Sequence, residues 1–175
     1  MYDICAIGEL IIDFTPAGVT EQGFPLFACN PGGAPGNVMV CLSRLGKATA
    51  FIGKVGKDQF GAFFTKLLRE QGMQTRGIVE ANDANTTLAF VHIAEGGDRS
   101  FSFYRKNCAD ILLQESEIDY TLIDASCFFH FGSLLRMQKK QGKWSALTPI
   151  TAQTCGRSQS MPEKQSFAGC NTPIL

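Results

Sequence analysis

The sequence predicts an α/β protein in which helices cover a parallel sheet and a small antiparallel lid is inserted. Three observations predict this class. Short apolar runs alternate with segments of helical spacing, in the order strand, helix, strand, helix. A glycine-rich segment, Asn30–Asn37, stands between the first β-prone stretches and the first helix. From residue 86 onward, two alternating β-prone stretches flank a Gly-Gly turn, which is typical of an antiparallel hairpin.

The composition narrows the classes of function. The 175 residues suffice for one core but not for two comfortable domains. Sixteen basic and sixteen acidic residues give no net charge, so neither nucleic acid nor an anionic membrane is expected as a partner. The first residues lack the basic segment and long apolar core of a signal peptide. Seven cysteines without a CxxC pair predict a reduced, cytoplasmic chain with neither a disulfide framework nor a metal site.

The first strand is predicted over residues 3–8, where four apolar residues precede a glycine. A second β-prone stretch follows and ends in a turn at Pro16–Gly18. Asp13 comes after three aliphatic residues of this stretch. It is either a strand-end carboxylate in solvent or an acceptor for sugar hydroxyls at the carboxyl end of a parallel sheet, where α/β proteins bind ligands.

The segment Asn30–Asn37 has the composition of a ligand-binding loop. The adjacent Gly32 and Gly33 permit close approach of a ligand and positive φ angles. Pro35 suits the first position of a helix. Asn37, in the first helical turn, offers a donor and an acceptor, which suits a polyol better than a phosphate. The alternative is a plain connection between a strand and a helix, without a ligand.

Helices are predicted over residues 35–45 and from Asp58, an N-cap, to Gly72, with a strand over residues 48–55 between them. Gly46 is predicted to end the first helix. The predicted apolar face of the first helix comprises Val38, Cys41, Leu42 and Leu45. That of the second comprises Phe60, Phe63, Phe64, Leu67 and Leu68.

The hairpin is predicted from Thr87–Ile93 and Ser100–Tyr104, as a lid over a site or as an oligomer contact. Arg105, at its end, either reaches a ligand oxygen or forms a surface salt bridge. His92 and His130 lie within strand patterns without a neighbouring histidine, so we expect structural roles for both.

Several stretches, in the same order, carry a resemblance to a known family. They are residues 7–14, 30–37, 51–61, 86–91, 99–105 and 109–110. Over Met1 to about Leu134 the chain resembles the ribokinase/PfkB family of sugar kinases, and within it bacterial and plant fructokinases. The resemblance implies a Rossmann-like (ribokinase-like) α/β domain with a β lid over residues 86–105. It also implies transfer of the γ-phosphate of ATP, with Mg²⁺, to a sugar hydroxyl.

The resemblance also implies the site residues. It places Asp13, Gly32, Gly33 and Asn37 on the sugar, and Phe103 and Arg105 on the lid side of the pocket. Fructose is the favoured substrate, with ketogluconate or ribosyl nucleosides as alternatives, and a homodimer through the lid is a plausible assembly. Gly36 and Met39 stand where the family usually has alanine. Gly36 is expected to weaken the helix by up to about 1 kcal/mol, and Met39 to crowd a close helix contact.

The resemblance ends near Leu134, and the sequence changes character from Trp144 on. Residues 135–143 are predicted to be the remnant of a helix. Residues 144–175 are rich in Ser, Thr, Gln and Pro, have no period and are predicted to be disordered. With suitable codons, a neighbouring reading frame of residues 147–156 encodes Asp-Pro-Asn-Tyr-Arg-Pro-Asp-Leu-Trp, a motif expected next in fructokinase-like proteins. We therefore expect a frameshift near Lys143, which sequencing of that codon tests.

The family's catalytic base is an aspartate in a late Gly-Ala-Gly-Asp stretch, which this sequence lacks. Asp13 is no substitute, since the resemblance places it on the sugar. We therefore expect no catalytic residue and no ATP or Mg²⁺ site in this chain. The leading interpretation is a truncated, inactive fructokinase-type product; the alternative is a non-catalytic sugar-binding or interaction module. A nucleotide-binding oxidoreductase is disfavoured, because no GxGxxG follows the first strand.

Overall fold

The computed structural model describes residues 1–132, 136–140 and 143–147, the last two stretches by their backbone alone. The strands are β1 (Tyr2–Ile7), β2 (Ile11–Val19), β3 (Pro25–Gly32), β4 (Thr49–Gly56), β5 (Gln74–Ala81), β6 (Thr87–Ile93), β7 (Arg99–Tyr104), β8 (Ser126–Phe131), β9 (Arg136–Lys140) and β10 (Lys143–Leu147). The α-helices are α1 (Ala34–Arg44), α2 (Gln59–Glu70) and α3 (Tyr120–Asp124), and short 3-10 turns cover Ala109–Leu112 and Glu115–Glu117. No helix in the described part is long and apolar enough to cross a bilayer.

The main sheet is parallel throughout, with the strand order β5-β4-β1-β8. Its two faces bury separate cores. On one face, α1 and α2 contribute Met39 and Phe64, which pack with Ala6 of β1. On the other face, α3 contributes Leu122, which packs with Ile7 of β1. Helices on both faces of a parallel sheet are the arrangement that the sequence predicted.

The lid is a second sheet of four strands, in the order β3-β2-β6-β7. Two antiparallel pairs, β2–β3 and β6–β7, are joined by parallel pairing of β2 with β6. The predicted hairpin over residues 87–104 is confirmed, but it forms only half of the lid.

The other half of the lid corrects two predictions. The turn predicted at Pro16–Gly18 is wrong: β2 continues to Val19, and the register shifts between Pro16 and Gly18. An irregularity of this kind accommodates proline within a strand. The predicted loop is also shorter than expected, because Asn30–Gly32 belongs to β3 and only Gly33 separates β3 from α1.

The predicted apolar face of α1 is right at Leu42, which packs against the core, but wrong at Val38 and Leu45. Val38 and Leu45 are 41% and 71% exposed, whereas Met39 and Val40 are buried. The start of the helix fixes its rotation: Pro35 packs so closely on Gly8 that a Cβ there would lie 2.5 Å from the proline Cγ. Met39 fills the core rather than crowding a helix contact.

The second helix follows its prediction except at Phe63, which belongs to the predicted apolar face but is 39% exposed. Asp58 caps α2 by accepting a hydrogen bond from the backbone N–H of Gly61. Phe64 and Leu68 are buried on the predicted face. Gly72 follows the helix with a φ of 77°, a conformation that glycine adopts without strain. The next strand, β5, was not predicted, because Arg76 and Glu80 interrupt its apolar pattern.

Within the helix remnant predicted over residues 135–143, the described residues 136–140 and Lys143 are strand instead. β9 and β10 pair antiparallel as a separate two-stranded sheet. The segment has few apolar residues at helical spacing, so strand pairing provides its backbone hydrogen bonds instead. The remainder of the predicted disordered tail, from residue 148, lies outside the described residues. The structure therefore does not test the predicted frameshift.

Candidate functional site

The candidate site lies where the carboxyl ends of β1 and β8 meet the start of α1. Gly8 and Gly132, which follow these two strands, both lie against the ring of Pro35. A Cβ on Gly132 would come within 2.9 Å of the Pro35 Cγ. The first turn of α1 is thus placed at the carboxyl edge of the parallel sheet, where α/β proteins bind their ligands.

Asp13 and Gly32 are in direct contact at this edge. Asp13 lies in β2, and its carboxylate is so close to the Gly32 Cα that a Cβ would meet Asp13 Oδ2 at 2.2 Å. The neighbouring Gly33 has a φ of 107°, and a Cβ there would meet the backbone oxygen of Glu9 at 2.4 Å. Both glycines are therefore required sterically, the first by the carboxylate and the second by the backbone turn into α1.

The carboxylate of Asp13 is half-buried, and this burial raises its pKa above the usual value for aspartate. No side chain in the described part of the protein donates a hydrogen bond to it at the distances that define such a bond. A carboxylate that has lost solvent without gaining a protein donor is an acceptor available to the hydroxyl groups of a ligand.

The first turn of α1 adds donors beside this acceptor. Gly33 is the N-cap, and the backbone N–H of Asn37 makes the first helical bond, 3.0 Å from the Gly33 oxygen. The N–H groups of Ala34 and Gly36 precede that bond and have no partner within the helix. The side chain of Asn37 is exposed. The turn therefore presents N–H groups and an amide at the positive end of the helix dipole.

The lid face that carries Asp13 extends the polar surface formed by Asp13 and the first turn of α1. The strand register places Asn30, Asp13, Ala89 and Phe103 side by side across all four strands, so their side chains share a face. Asn30 Nδ2 donates to Thr15 Oγ1 at 2.7 Å. Sequence reasoning had not assigned Asn30 and Thr15 individually, although the period-two spacing of Thr15 from Asp13 was a usable signal.

Phe103 adds an aromatic surface to that face. Its ring stacks on Phe101 at 5.8 Å between centroids, and both rings are exposed. The lid face with Asp13 thus combines acceptors and an aromatic surface, which is the usual composition of a small-molecule site.

Arg105 is held by a neighbour within the protein. It forms an ion pair with Asp110, whose side chain is almost fully buried, and the hydroxyl of Thr87 donates to the same carboxylate. This pair is not the surface salt bridge considered from the sequence. The Nε of Arg105 is buried and has no partner among the described residues. Asp110 therefore fixes Arg105 at the base of the lid, a role that sequence reasoning had not assigned.

Asp58 links the lid to the helix α2, which packs on the parallel main sheet. Its carboxylate accepts from the backbone N–H groups of Gly61 and Thr86, both at 2.8 Å, and from the Thr86 hydroxyl at 2.8 Å. Burial alone would raise its pKa, but these hydrogen bonds outweigh burial and hold the pKa below the usual value. Because Thr86 immediately precedes β6, Asp58 fixes the point where the chain enters the lid hairpin.

The described residues offer no cluster of three or more His, Cys, Asp or Glu that could hold a metal ion. A cavity of about 380 Å³ lies at the amino ends of the strands, lined by residues that include Tyr2, Thr49 and Gln74. That edge is opposite to the ligand-binding edge of a parallel sheet, so we assign the cavity no part in the site.

Comparison with known proteins finds related sequences that share most of this chain. The sequence model of the "pfkB family carbohydrate kinase" matches residues 1–161. The chain is 44% identical over 135 residues to probable fructokinase-6, chloroplastic, of Arabidopsis thaliana, covering 76% of this chain and 35% of that protein. It is also 44% identical over 133 residues to fructokinase-1 of Zea mays, covering 75% and 41%.

Solved structures give the same result. The fructokinase of Xylella fastidiosa superposes with a TM-score of 0.69 at 37% identity, over 75% of this chain and 41% of that one. A sugar kinase of Pyrococcus horikoshii, solved in complex with ATP, superposes with a TM-score of 0.68 at 35% identity, over 75% and 43%. The predicted resemblance and fold are confirmed. The chain spans about two fifths of the length of these relatives, in their N-terminal part.

Proposed function

Since the chain belongs to the pfkB family of carbohydrate kinases, we propose that it is the sugar-binding part of a fructokinase-type enzyme. Its ligand is fructose or a related sugar, and the intact enzyme transfers phosphate from ATP. The observation that carries this proposal is the Asp13 carboxylate, which is held against Gly32, partly desolvated and without a donor in the described part of the protein.

The surrounding groups suit a polyol. A sugar hydroxyl donates to Asp13, and a second hydroxyl exchanges hydrogen bonds with the Asn37 amide. The aromatic pair Phe101–Phe103 covers the apolar face of the sugar from the lid. In this arrangement Arg105 contributes through its unpartnered Nε or through the position that Asp110 gives it.

Phosphoryl transfer requires a base for the sugar hydroxyl, donors for the phosphate and metal-bound ATP. The sequence contains no Gly-Ala-Gly-Asp stretch, and the described residues do not fit a metal ion. We derive no catalytic step from these residues. ATP and Mg²⁺ belong, in this proposal, to the intact enzyme, and the 175-residue chain alone holds the sugar without phosphorylating it.

The test is thermal unfolding with increasing fructose. A sugar-dependent rise in Tm is expected for the unmodified chain, and its absence in Asp13→Asn. Asp98→Asn, a change of the same charge in the exposed lid turn, is the control and should respond like the parent. A rise in Tm that Asp13→Asn retains would refute the assignment. A rise in Tm without phosphorylation of the sugar is the outcome that this proposal predicts, and phosphorylation by the 175-residue chain would contradict it.

We further propose a homodimer through the lid. The lid face opposite Asp13 is aromatic: Phe90 contacts Phe14, Phe27 and Tyr104, and both Phe27 and Tyr104 are exposed. An exposed aromatic patch of this kind is typical of an interaction surface. Tyr104→Lys should convert a dimer to a monomer in analytical ultracentrifugation; a dimer that survives this change uses another surface.

The cytoplasm is the proposed compartment, and neither nucleic acid nor a membrane is a proposed partner. Two observations support this. The formal net charge is zero. Cys5, Cys29, Cys108 and Cys127 form no disulfide within the described residues, as expected for a reducing compartment.

A further inference from the structure

The ion pair between Arg105 and Asp110 lies on the lid face that carries Asp13. The strand register places Phe103 on this face. Arg105 comes two residues after Phe103, directly at the end of β7, and side chains at this spacing share a face of a strand. The ion pair therefore borders the surface that the proposed sugar would contact.

The two oxygens of the Asp110 carboxylate have different partners. Arg105 Nη2 donates to Oδ2, and the hydroxyl of Thr87 donates to Oδ1. The side chain of Asp110 is only 1% exposed, and Thr87 is fully buried. A carboxylate buried to this extent requires a paired cation. Thr87 thus fixes the orientation of Asp110, and Asp110 holds the positive charge of Arg105.

Arg105 keeps hydrogen-bond donors for a ligand although its charge is neutralised. A guanidinium group has five N–H donors, and within the described part of the protein only Nη2 has a partner. The side chain of Arg105 remains 21% exposed, so a ligand can still reach it. A paired guanidinium of this kind can donate to a hydroxyl or carbonyl oxygen without attracting an anion.

The balance of charge on this face disfavours an acidic ligand. Asp13 contributes a half-buried carboxylate, while the opposite charges of Arg105 and Asp110 cancel. A ligand carboxylate placed here would meet an excess of negative charge, and like charges repel strongly where water is partly excluded. A neutral sugar meets no such repulsion.

We propose that Asp110 is a positioning residue that determines specificity: by neutralising Arg105, it makes the site select neutral ketoses against sugar acids. The sequence left fructose and ketogluconate as alternatives, and the ion pair favours fructose. This inference rests on the proposed sugar-binding function and names the substrate class of that same site.

The experiment compares two sugars that differ at one carbon, since 2-ketogluconate has a carboxylate where fructose has a hydroxymethyl group. In calorimetric titrations the 175-residue chain should bind fructose about tenfold or more tightly than 2-ketogluconate. Asp110→Asn keeps the size of the side chain and removes its charge. It should shift the ratio of the two affinities about tenfold or more toward 2-ketogluconate, because Arg105 is then free to attract the carboxylate.

Two variants control for other causes. Asp98→Asn, the same chemical change in the exposed lid turn, should keep the ratio of the parent chain. The double variant Asp110→Asn/Arg105→Gln removes both charges of the pair and should return the ratio to that of the parent. A loss of structure alone would weaken both sugars and would not raise the affinity for the acid.

The methyl ester of 2-ketogluconate provides a measurement that needs no variant. This ester is uncharged, so the parent chain should bind it about as well as fructose and more tightly than the acid. The comparison of ester with acid decides the matter if Asp110→Asn does not fold.

Equal binding of 2-ketogluconate and fructose, or of the acid and its ester, by the parent chain would overturn the inference and leave the proposed function intact. A ratio of affinities that folded Asp110→Asn does not change would overturn it as well, as would a gain for the acid that persists in the double variant. If the parent chain binds neither fructose nor the ester, the proposed function itself fails, and this inference fails with it.

Discussion

Asp13 carries its carboxylate in a half-buried position against Gly32, and burial raises its pKa. Ionisation of Asp13 therefore opposes folding. Its contribution to stability is fully present below the pKa of the unfolded chain and is lost as the pH rises through the raised pKa of the folded state. A binding group that costs stability is common at functional sites, where activity and stability compete.

Asp13→Asn should accordingly stabilise the protein at pH 7 while abolishing the response to sugar. The stability advantage over the parent should shrink as the pH falls through the raised pKa of the folded state, and it should be gone below the unfolded pKa of aspartate, about 4, where Asp13 is neutral in both states. Urea denaturation of both chains across this pH range measures the difference. A variant that is less stable than the parent at pH 7 would show that Asp13 has a structural partner.

Two glycines four residues apart should respond to alanine in opposite ways. Gly32→Ala forces the Asp13 carboxylate aside, so we expect sugar binding to be lost and stability to fall. At Gly36 a Cβ meets only Leu10 Cδ2, at 3.4 Å, and the residue is helical. Gly36→Ala should therefore stabilise the protein by about 0.5–1 kcal/mol. Chemical denaturation measures both changes; a destabilised Gly36→Ala would mean that Leu10 cannot yield.

For individual site residues, the sequence predicted which residues belong to the candidate site but not the contacts that they make. Asp13, Gly32 and Gly33 could be named, because the glycine pair and the carboxylate after an aliphatic run are local signals. The pairing of Arg105 with Asp110 could not be derived, since the local pattern equally allowed a surface ion pair. The steric need for Gly32 was also hidden, because it depends on the pairing of β2 with β3.

The junction between α2 and the lid depends on Asp58. Its carboxylate caps α2 and also holds the backbone and hydroxyl of Thr86. The pKa of Asp58 is lowered in the folded state, since its hydrogen bonds outweigh burial. Its contribution to stability is therefore present above the unfolded pKa and is lost as the pH falls through the lower, folded pKa.

Asp58→Ala should destabilise the protein by about 1–3 kcal/mol at pH 7, from the loss of a helix cap and of partly buried hydrogen bonds. The difference from the parent should shrink in acid. Asp83→Ala, an exposed position in the segment that leads to the lid, should change stability by less than about 0.5 kcal/mol. Equal effects of the two changes in urea denaturation would contradict the role of Asp58.

Among the elements, α2 could be predicted and the face of α1 could not. The cap and the aromatic repeat of α2 are local signals. In α1 the rows with Val38 and with Met39 are both apolar, so periodicity alone could not select the buried face. The packing of Pro35 on Gly8 selects it. The lid was predicted as one hairpin, because the proline and glycine in β2 suggest a turn, whereas tertiary pairing carries the strand through them.

At the scale of the molecule, the parallel sheet carries Arg76 and Glu80 on its edge strand β5, while in the described part of the chain β8 pairs with β1 alone. Phe128, Phe131, Val38 and Leu45 are all exposed. Such a surface promotes aggregation. We expect poor solubility of the 175-residue chain when it is expressed alone. A monodisperse chain with a sharp two-state melt would contradict this expectation.

We propose that this chain recognises a sugar without phosphorylating it. Calorimetric titration of the 175-residue chain with fructose, in the presence of Mg²⁺ and ATP, tests sugar binding and phosphorylation together. The expected result is a saturable heat of binding that returns to baseline after each injection. A sustained heat flow accompanied by ADP would show that the chain is a complete kinase, and the absence of any binding heat would show that the Asp13 face does not hold the sugar.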